Sequence, residues 1–316
     1  MASIPISEII KGLKLEVLAG KNGINRKVYN PSLTKPGVEL AGMFDFYEND
    51  RIQIIGSKEI TFFHWLSQKD KVSRVTILFE KTPPAFIFSK NVKVPKLFIE
   101  LGEKHNIPVL KSSSATTSLF SELHAFLQTR LAERTSMHGV LLDINGVGVL
   151  ITGRSGIGKS EVALELIRRG YILVADDLVE VYQLEKGIII GQAPEMLKKY
   201  LEIRGVGIVN VVYLFGVKAY RDNKKISLIV KLEKWDDNSE FDRLGMKEEY
   251  HKIFDTNIAF VSIPITEARN TATLIEAAAY DFKSKEMGYH SANEFNQLLN
   301  NQIKKNQLKK DDDADE

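Results

Sequence analysis

Between Gly153 and Ser160 the chain reads GRSGIGKS, and from Val174 to Asp177 it reads VADD. The first stretch satisfies G-x-x-x-x-G-K-S through Gly153, Gly158, Lys159 and Ser160, with Arg154, Ser155, Gly156 and Ile157 between them. Residues without side chains let backbone N–H groups turn inward around phosphate oxygens, and a helix starting at such a loop adds its positive end. Lys159 brings a point charge, and the Ser160 hydroxyl suits a Mg²⁺ ion bridging two phosphates. The Asp176-Asp177 pair ends the apolar run YILVA, and the carboxyl edge of an α/β sheet is where ligands sit. Adjacent acids on a strand point to opposite sides, so only one can face a phosphate squarely. One can hold a metal through water while the other accepts a proton from an attacking hydroxyl. The sequence alone does not choose between them; Asp177 is taken as the base and Asp176 as a supporting ligand.

The elements around these residues are those a phosphate loop requires. In HGVLLDINGVGVLITG, Asn145-Gly146 stands between two apolar runs and signals a two-residue hairpin, since both positions accept positive φ. Strand, turn and strand thus deliver the chain into the glycine loop. Beyond it, Val162, Leu164, Leu166 and Ile167 give a helix its apolar face, and Gly170 stands where a C-cap is expected.

The rest of the chain bounds what those motifs can mean. With 316 residues and 44% hydrophobic content it has material for two cored domains. Its 43 basic and 41 acidic residues are well mixed, so no broad field draws it to nucleic acid or to a membrane surface. It has no cysteine, which excludes disulfides, thiolate metal sites and cysteine nucleophiles. MASIPISEII lacks the pattern of a secretion signal and no apolar run approaches the length of a membrane helix, so the expected location is cytoplasmic. In the first half, RIQIIG, VTILFE, AFIFSK and IPVLKSS read as buried strands alternating with helical patterns such as LFIELGEKHN and TTSLFSELHAFLQTRLAERT. Nothing there has catalytic spacing; SKNVKVP and KSSSATTS read as loop and helix-capping segments. The expected organisation is α/β: a small N-terminal domain over residues 1–130, a P-loop catalytic domain over 131–300, and a charged, disordered tail over 301–316.

One further stretch, LEIRGVGIVN from Leu201 to Asn210, follows PEMLKKY, which reads as a helix. Read alone, it makes Gly205 a helix C-cap and Gly207 a loop residue, with Glu202 and Arg204 on the surface.

The order His138-Gly139, GRSGIGKS, VADD, LEIRGVGIVN, EFDRLG and PITEARN resembles the bacterial HPr kinase/phosphorylase family along essentially the whole chain. LEIRGVGIVN is the distinctive family signature. The resemblance implies a catalytic domain similar in architecture to phosphoenolpyruvate carboxykinase. It also implies a bifunctional enzyme that phosphorylates a serine of the phosphocarrier HPr with ATP or pyrophosphate, and removes that phosphate with inorganic phosphate to give pyrophosphate, in the control of carbon catabolite repression. It makes Glu202 and Ser160 the Mg²⁺ ligands, places Arg204, Gly205 and Gly207 in the catalytic loop, brings His138 near Asp177, and gives Arg243 a cationic role beside the transferring phosphate. It implies a homohexamer. The PITEARN loop, with Pro264, Arg269 and Asn270, is expected to serve dephosphorylation, and Ala268 replaces the family's usual glycine. If that position needs positive φ, alanine costs it about 1 kcal/mol. Read without the resemblance, Pro264 and Asn270 end a strand and cap a helix.

Rival readings fare less well. A GTP-driven switch needs D-x-x-G after the loop and N-K-x-D; here D-I-N-G at Asp143 precedes the loop and N-K-K-I at Asn223 lacks the aspartate. No H-R-D or D-F-G of a eukaryotic-type kinase is present. A P-loop small-molecule kinase and a nucleotide-gated HPr-binding regulator without catalysis remain as alternatives.

Overall fold

The computed structural model describes residues 2–90, 92–234, 248–266 and 269–312, with side chains as far as residue 302. The chain divides into two compact units, Met1–Glu133 and Arg134–Glu316.

The first unit opens with β1 (Ile4–Pro5), α1 (Ile6–Leu13), β2 (Glu16–Ala19), β3 (Lys27–Val28), β4 (Leu33–Thr34) and α2 (Gly37–Leu40). It continues through β5 (Ile52–Ile55), α3 (Ser57–Trp65), α4 (Gln68–Glu80), β6 (Phe86–Phe88), α5 (Lys96–His105), β7 (Val109–Lys111) and α6 (Thr116–Leu131). Strands β4 to β7 run parallel in the order β2-β7-β6-β5-β4, with β2 antiparallel at one edge. Parallel strands need both faces covered, and here Ile52, Ile54 and Ile55 with Phe86, Ile87 and Phe88 are all fully buried. On one face α3, α4 and α5 enclose Phe79, Phe86, Phe88 and Phe98, whose rings meet at centroid distances of 4.5–5.9 Å, mostly edge to face. On the other, α1 and α6 cover Ile54, Ile87 and Leu110.

VTILFE is not a strand. It forms the last turns of α4, where Val75, Leu78 and Phe79 fall at helical spacing and are buried, while the Ser67 hydroxyl caps the first turn at the Asp70 N–H, 3.1 Å.

The second unit begins with β8 (Arg134–His138), β9 (Val140–Ile144), β10 (Val147–Gly153), α7 (Lys159–Arg168), β11 (Ile172–Ala175), β12 (Leu178–Glu185) and β13 (Ile188–Gln192). Next come β14 (Tyr200–Ile203), β15 (Gly207–Asn210), α8 (Val211–Phe215) and β16 (Asn223–Lys225). It ends with β17 (Leu228–Lys234), β18 (Glu249–Ile253), β19 (Thr256–Ile265), α9 (Thr271–Glu286) and α10 (Ser291–Asp312). Its main sheet runs β11-β9-β10-β17-β19-β18, with β10, β17 and β19 parallel at its centre. Helices α7 and α9 cover one face. A four-stranded antiparallel sheet, β16-β13-β12-β8, lies against the other, so Leu141 and Leu150 share a core with Val179, Val181 and Ile189. The class is therefore α/β with a second, antiparallel layer.

Two local expectations change. PEMLKKY holds only a single 3₁₀ turn, Glu195–Leu197, and LEIRGVGIVN is not a helix end: it is the β14–β15 ribbon, pairing Leu201 with Val209 and Glu202 with Ile208. Gly205 (φ 82°) and Gly207 (φ 104°) make its turn in the left-handed region, the same conformational freedom a C-cap glycine would use. Nor is the C-terminal segment irregular from residue 301: α10 continues to Asp312. Its Leu, Gln and Lys residues are strong helix formers.

Candidate active site

The hairpin that feeds the phosphate loop turns at Asn145 (φ 49°) and Gly146 (φ 92°), the pair of positive φ values a two-residue turn requires. Asp143 fixes it by accepting the Gly146 N–H at 2.8 Å. That carboxylate, 5% exposed, is in turn paired with Arg221 and with Lys224 at 2.9 Å. Strand β10 then runs in the sheet's centre to Gly153, and α7 begins at Lys159.

Between them Gly153, Gly156 and Gly158 all have positive φ, the condition for turning successive amides toward one point. The Lys159 ammonium donates to the carbonyls of Gly153 at 3.2 Å and Arg154 at 3.3 Å, so it is held within the loop. The Ile157 N–H closes the turn onto the Arg154 carbonyl, and its side chain packs on the core beneath.

The two aspartates differ sharply. Asp176 is 4% exposed; it accepts the Ser160 hydroxyl at 3.0 Å through one oxygen and the Glu202 backbone N–H at 3.0 Å through the other. One buried carboxylate therefore joins the phosphate loop to the β14–β15 ribbon. Burial pushes its carboxyl above the usual carboxylate range, and those hydrogen bonds oppose the shift without cancelling it. Asp177 instead adopts φ 62°, a region in which Asp and Asn are the commonest residues after glycine. Its carbonyl accepts the Gly139 N–H at 3.0 Å, and its side chain, 72% exposed, lies 3.9 Å from Nδ1 of His138. The pairing of β8 with β12, with His138 opposite Leu178, sets that approach.

These groups line one cavity of about 140 Å³, formed by Ser155, Gly156, Gly158, Lys159, Ser160 and Glu161 together with Asp176, Asp177, Glu202 and Arg204. The Arg204 guanidinium leans over the loop so closely that a Cβ at Gly156 would lie 2.9 Å from it. A larger cavity, about 510 Å³ beside α9 and β19, contains none of these residues, and the chemistry follows the smaller one. Ser160, Asp176 and Glu202 offer hard oxygen donors beside the phosphate loop. That set fits Mg²⁺, which takes most of its ligands from phosphates and water, and not an all-protein cage.

Other sequence candidates lie elsewhere. Arg243 and Ala268 fall outside the described residues. Pro264 is paired within β19, opposite Glu233 of β17. Asn270 caps α9 by accepting the Thr273 N–H at 3.0 Å, and the Arg269 N–H bonds the Thr266 carbonyl at 3.3 Å. None of these three lines the 140 Å³ cavity.

Sequence reasoning passed over Arg169. It holds α7 to α9 by donating to Glu276 at 2.8 Å, Thr273 at 3.1 Å and the Asn270 side-chain oxygen at 3.3 Å. Only its spacing of four from Glu165, which it also bonds, could have drawn attention to it.

Comparison with known proteins adds lineage to this geometry. Residues 4–127 match the family model described as HPr Serine kinase N terminus, and residues 129–299 the HPr Serine kinase C-terminal domain. An HPr kinase/phosphorylase of Bacillus subtilis (strain 168) is 45% identical over 299 residues, 95% of this chain and 96% of that protein. One of Geobacillus sp. (strain WCH70) is 45% identical over 303 residues, 96% of this chain and 97% of that one. The solved HPr(Ser) kinase/phosphatase of Coxiella burnetii aligns with 51% of this chain and 98% of its own at 35% identity, with a TM-score of 0.47.

Proposed function

The chain belongs to the HPr serine kinase family, and from that premise we propose how its residues divide the work of moving a phosphoryl group on and off HPr. It is a kinase/phosphorylase that acts on a serine of HPr with a nucleotide as phosphoryl donor. The observation that carries the division of roles is that the glycine loop and the solvent-facing Asp177 border one cavity.

In the forward direction the loop amides and Lys159 hold the nucleotide phosphates, and Asp177 accepts the serine proton as the serine oxygen attacks the terminal phosphorus. The nucleoside diphosphate leaves. In reverse, inorganic phosphate occupies the same cradle and one of its oxygens attacks the phosphoserine phosphorus. The serine oxygen departs with the proton returned by Asp177, and pyrophosphate is formed. Microscopic reversibility assigns both proton transfers to one carboxylate. His138 orients Asp177, and Arg204, poised over Gly156, meets charge developing on the transferring group. Ser160 and Glu202, backed by Asp176, would hold the Mg²⁺ that supplies charge stabilisation there. We assign Arg243 a cationic part in the same transfer, and Pro264, Arg269 and Asn270 a part in the reverse direction. Pyrophosphate as an alternative donor, a cytoplasmic site of action and a homohexameric assembly complete the reading; among the described residues no helix is long and apolar enough to cross a membrane.

The test is to mix the protein with HPr, Mg²⁺ and ATP, then add excess inorganic phosphate. Phosphoserine should accumulate and then decline as pyrophosphate appears. Loss of the serine phosphate as inorganic phosphate, with no pyrophosphate, would defeat the single-site account.

A further inference from the structure

The charges around the phosphate cavity do not balance in favour of an anion. Two cations, Lys159 and Arg204, line it against four carboxyl groups, those of Glu161, Asp176, Asp177 and Glu202. Asp176 is buried, and its oxygens are taken up by the Ser160 hydroxyl and the Glu202 N–H. Of the other three, Glu202 and Asp177 have parts in metal ligation and proton transfer. Glu161 has a part in neither. It stands in the first turn of α7, two residues after Lys159, where the loop amides and the positive end of the helix converge. Its carboxylate folds back over the loop, with Oε2 4.0 Å from the point a Cβ on Gly158 would occupy. The ion pairs within α7 run instead through Glu165, to Arg168 and Arg169, so holding the helix is not the work of Glu161. An acid in a first turn is ordinary where that helix end faces water. Here the end faces the ligand, and the acid competes with the ligand for it.

That competition separates two forms of the same ligand. A bare polyphosphate brings several negative charges to a cavity whose carboxylates already outnumber its cations, and each of those carboxylates repels it. The same phosphates carrying Mg²⁺ bring two fewer, and the repulsion falls accordingly. We infer that Glu161 is a selectivity residue: its carboxylate, set over the phosphate loop, weakens the binding of bare phosphate-bearing anions, so that the cradle takes them with their metal in preference to without it. This rests on the functional reading above and deepens it, since a phosphoryl group loaded without the ion that stabilises its transfer would occupy the site to no effect.

The experiment titrates the full-length parent, Glu161→Gln and Glu161→Asp with a fluorescent ATP analogue, followed by anisotropy, in excess Mg²⁺ and separately in EDTA. Gln removes the charge at nearly constant volume. One charge acting through a partly solvated site on a ligand of several charges is worth roughly three- to tenfold in Kd, so Kd in EDTA should fall by that factor. With Mg²⁺ the change should be smaller, and the preference for the metal-bearing nucleotide should shrink. Salt should erase most of the gain in EDTA at about 0.5 M, as it does for exposed charges. Glu161→Asp keeps the charge and should keep the parental preference. An unchanged Kd for Glu161→Gln in EDTA overturns the proposal, even if urea unfolding shows the variant to be less stable, because Glu161 would then serve only the helix end. So does a gain of equal size with Mg²⁺ and with EDTA, or one shared by Glu161→Asp, since charge would not be its cause. A parent that binds the nucleotide in neither condition overturns the functional reading itself, whereas a parent that binds it with an indifferent Glu161→Gln overturns only the role of Glu161.

Discussion

Replacing Asp176 with Asn separates the fold from the chemistry at the hub of the site. The carboxylate receives two hydrogen bonds, from Ser160 and from the Glu202 backbone, and is almost wholly buried. Charge-assisted bonds contribute about 1.5–3 kcal/mol and neutral ones about 0.5–1.5, so neutralising the group loses roughly 1 kcal/mol at each. The burial that is relieved weighs more, because the carboxyl titrates above its ordinary value in spite of both bonds. An Asn can keep both partners: its oxygen faces the Glu202 N–H, and its amide donates to the Ser160 oxygen, which changes from donor to acceptor. Stability at pH 8 should therefore fall by no more than about 1 kcal/mol, or rise. The sign with pH is fixed. Between the unfolded value of about 3.8 and the raised folded one, the native state retains a proton the unfolded chain has released, so this residue's contribution to stability declines as pH rises through that window. The difference between D176N and parent should thus move in the variant's favour from pH 3.8 upward. Catalysis should suffer, since a Ser160 oxygen that accepts from an amide has a lone pair less for a metal; the loss expected is roughly 10- to 100-fold in kcat. Urea unfolding across pH and steady-state kinase assays with Mg²⁺ measure both. A variant destabilised by more than about 2 kcal/mol at pH 8 yet fully active would refute the reasoning.

Asp177→Asn should leave stability nearly unchanged, because Asn tolerates the left-handed backbone, yet remove phosphorylation and phosphorolysis alike by roughly 10²- to 10⁴-fold; phosphorylation near the parental rate would show that Asp177 is not the base. Gly156→Ala and Gly187→Ala, the latter in the turn between β12 and β13, make a matched pair at φ 80° and 84°. Each should cost about 1 kcal/mol in urea unfolding, but only the first, whose Cβ would meet Arg204, should lower kcat, and an equal fall in both would remove Arg204 from the site. Tyr171 donates to Glu276 and, ahead of Arg169, holds that carboxyl below its usual range. A depressed carboxyl stabilises above its unfolded value of about 4.5 and ceases to do so as pH falls through the folded one. Tyr171→Phe should accordingly cost about 1 kcal/mol at pH 7, with the gap narrowing in unfolding curves below pH 4.5.

What the sequence reveals here depends on how local the cause is. The Asn145-Gly146 turn, the glycine loop and the strand ending at Ala175 are specified by neighbouring residues, and the structure has each of them. VTILFE misleads because a short apolar run fits a strand or a buried helix, and only the polar turns before it show that Val75, Leu78 and Phe79 form a stripe. The glycines of LEIRGVGIVN announce positive φ without saying which element they interrupt. Pairing Glu202 with Ile208 is a cross-strand fact. The contrast between Asp176 and Asp177 is tertiary in origin: burial beneath the ribbon decides it, and two identical letters in a row carry no trace of that.

Helix α9 touches the phosphate loop's supports on both sides. Tyr280 receives a hydrogen bond from the Asn145 side chain at 2.7 Å and Lys283 donates to the Asn145 carbonyl at 2.8 Å, which secures the hairpin leading in. Arg169, at the end of the helix leading out, grips the first turns of the same α9. An eight-membered stretch of chain stretched between two piers on one foundation has little freedom left to surrender when an anion arrives. The amides are aimed in advance, so discrimination among phosphate-bearing ligands falls to charge and fit rather than to the ordering of the loop.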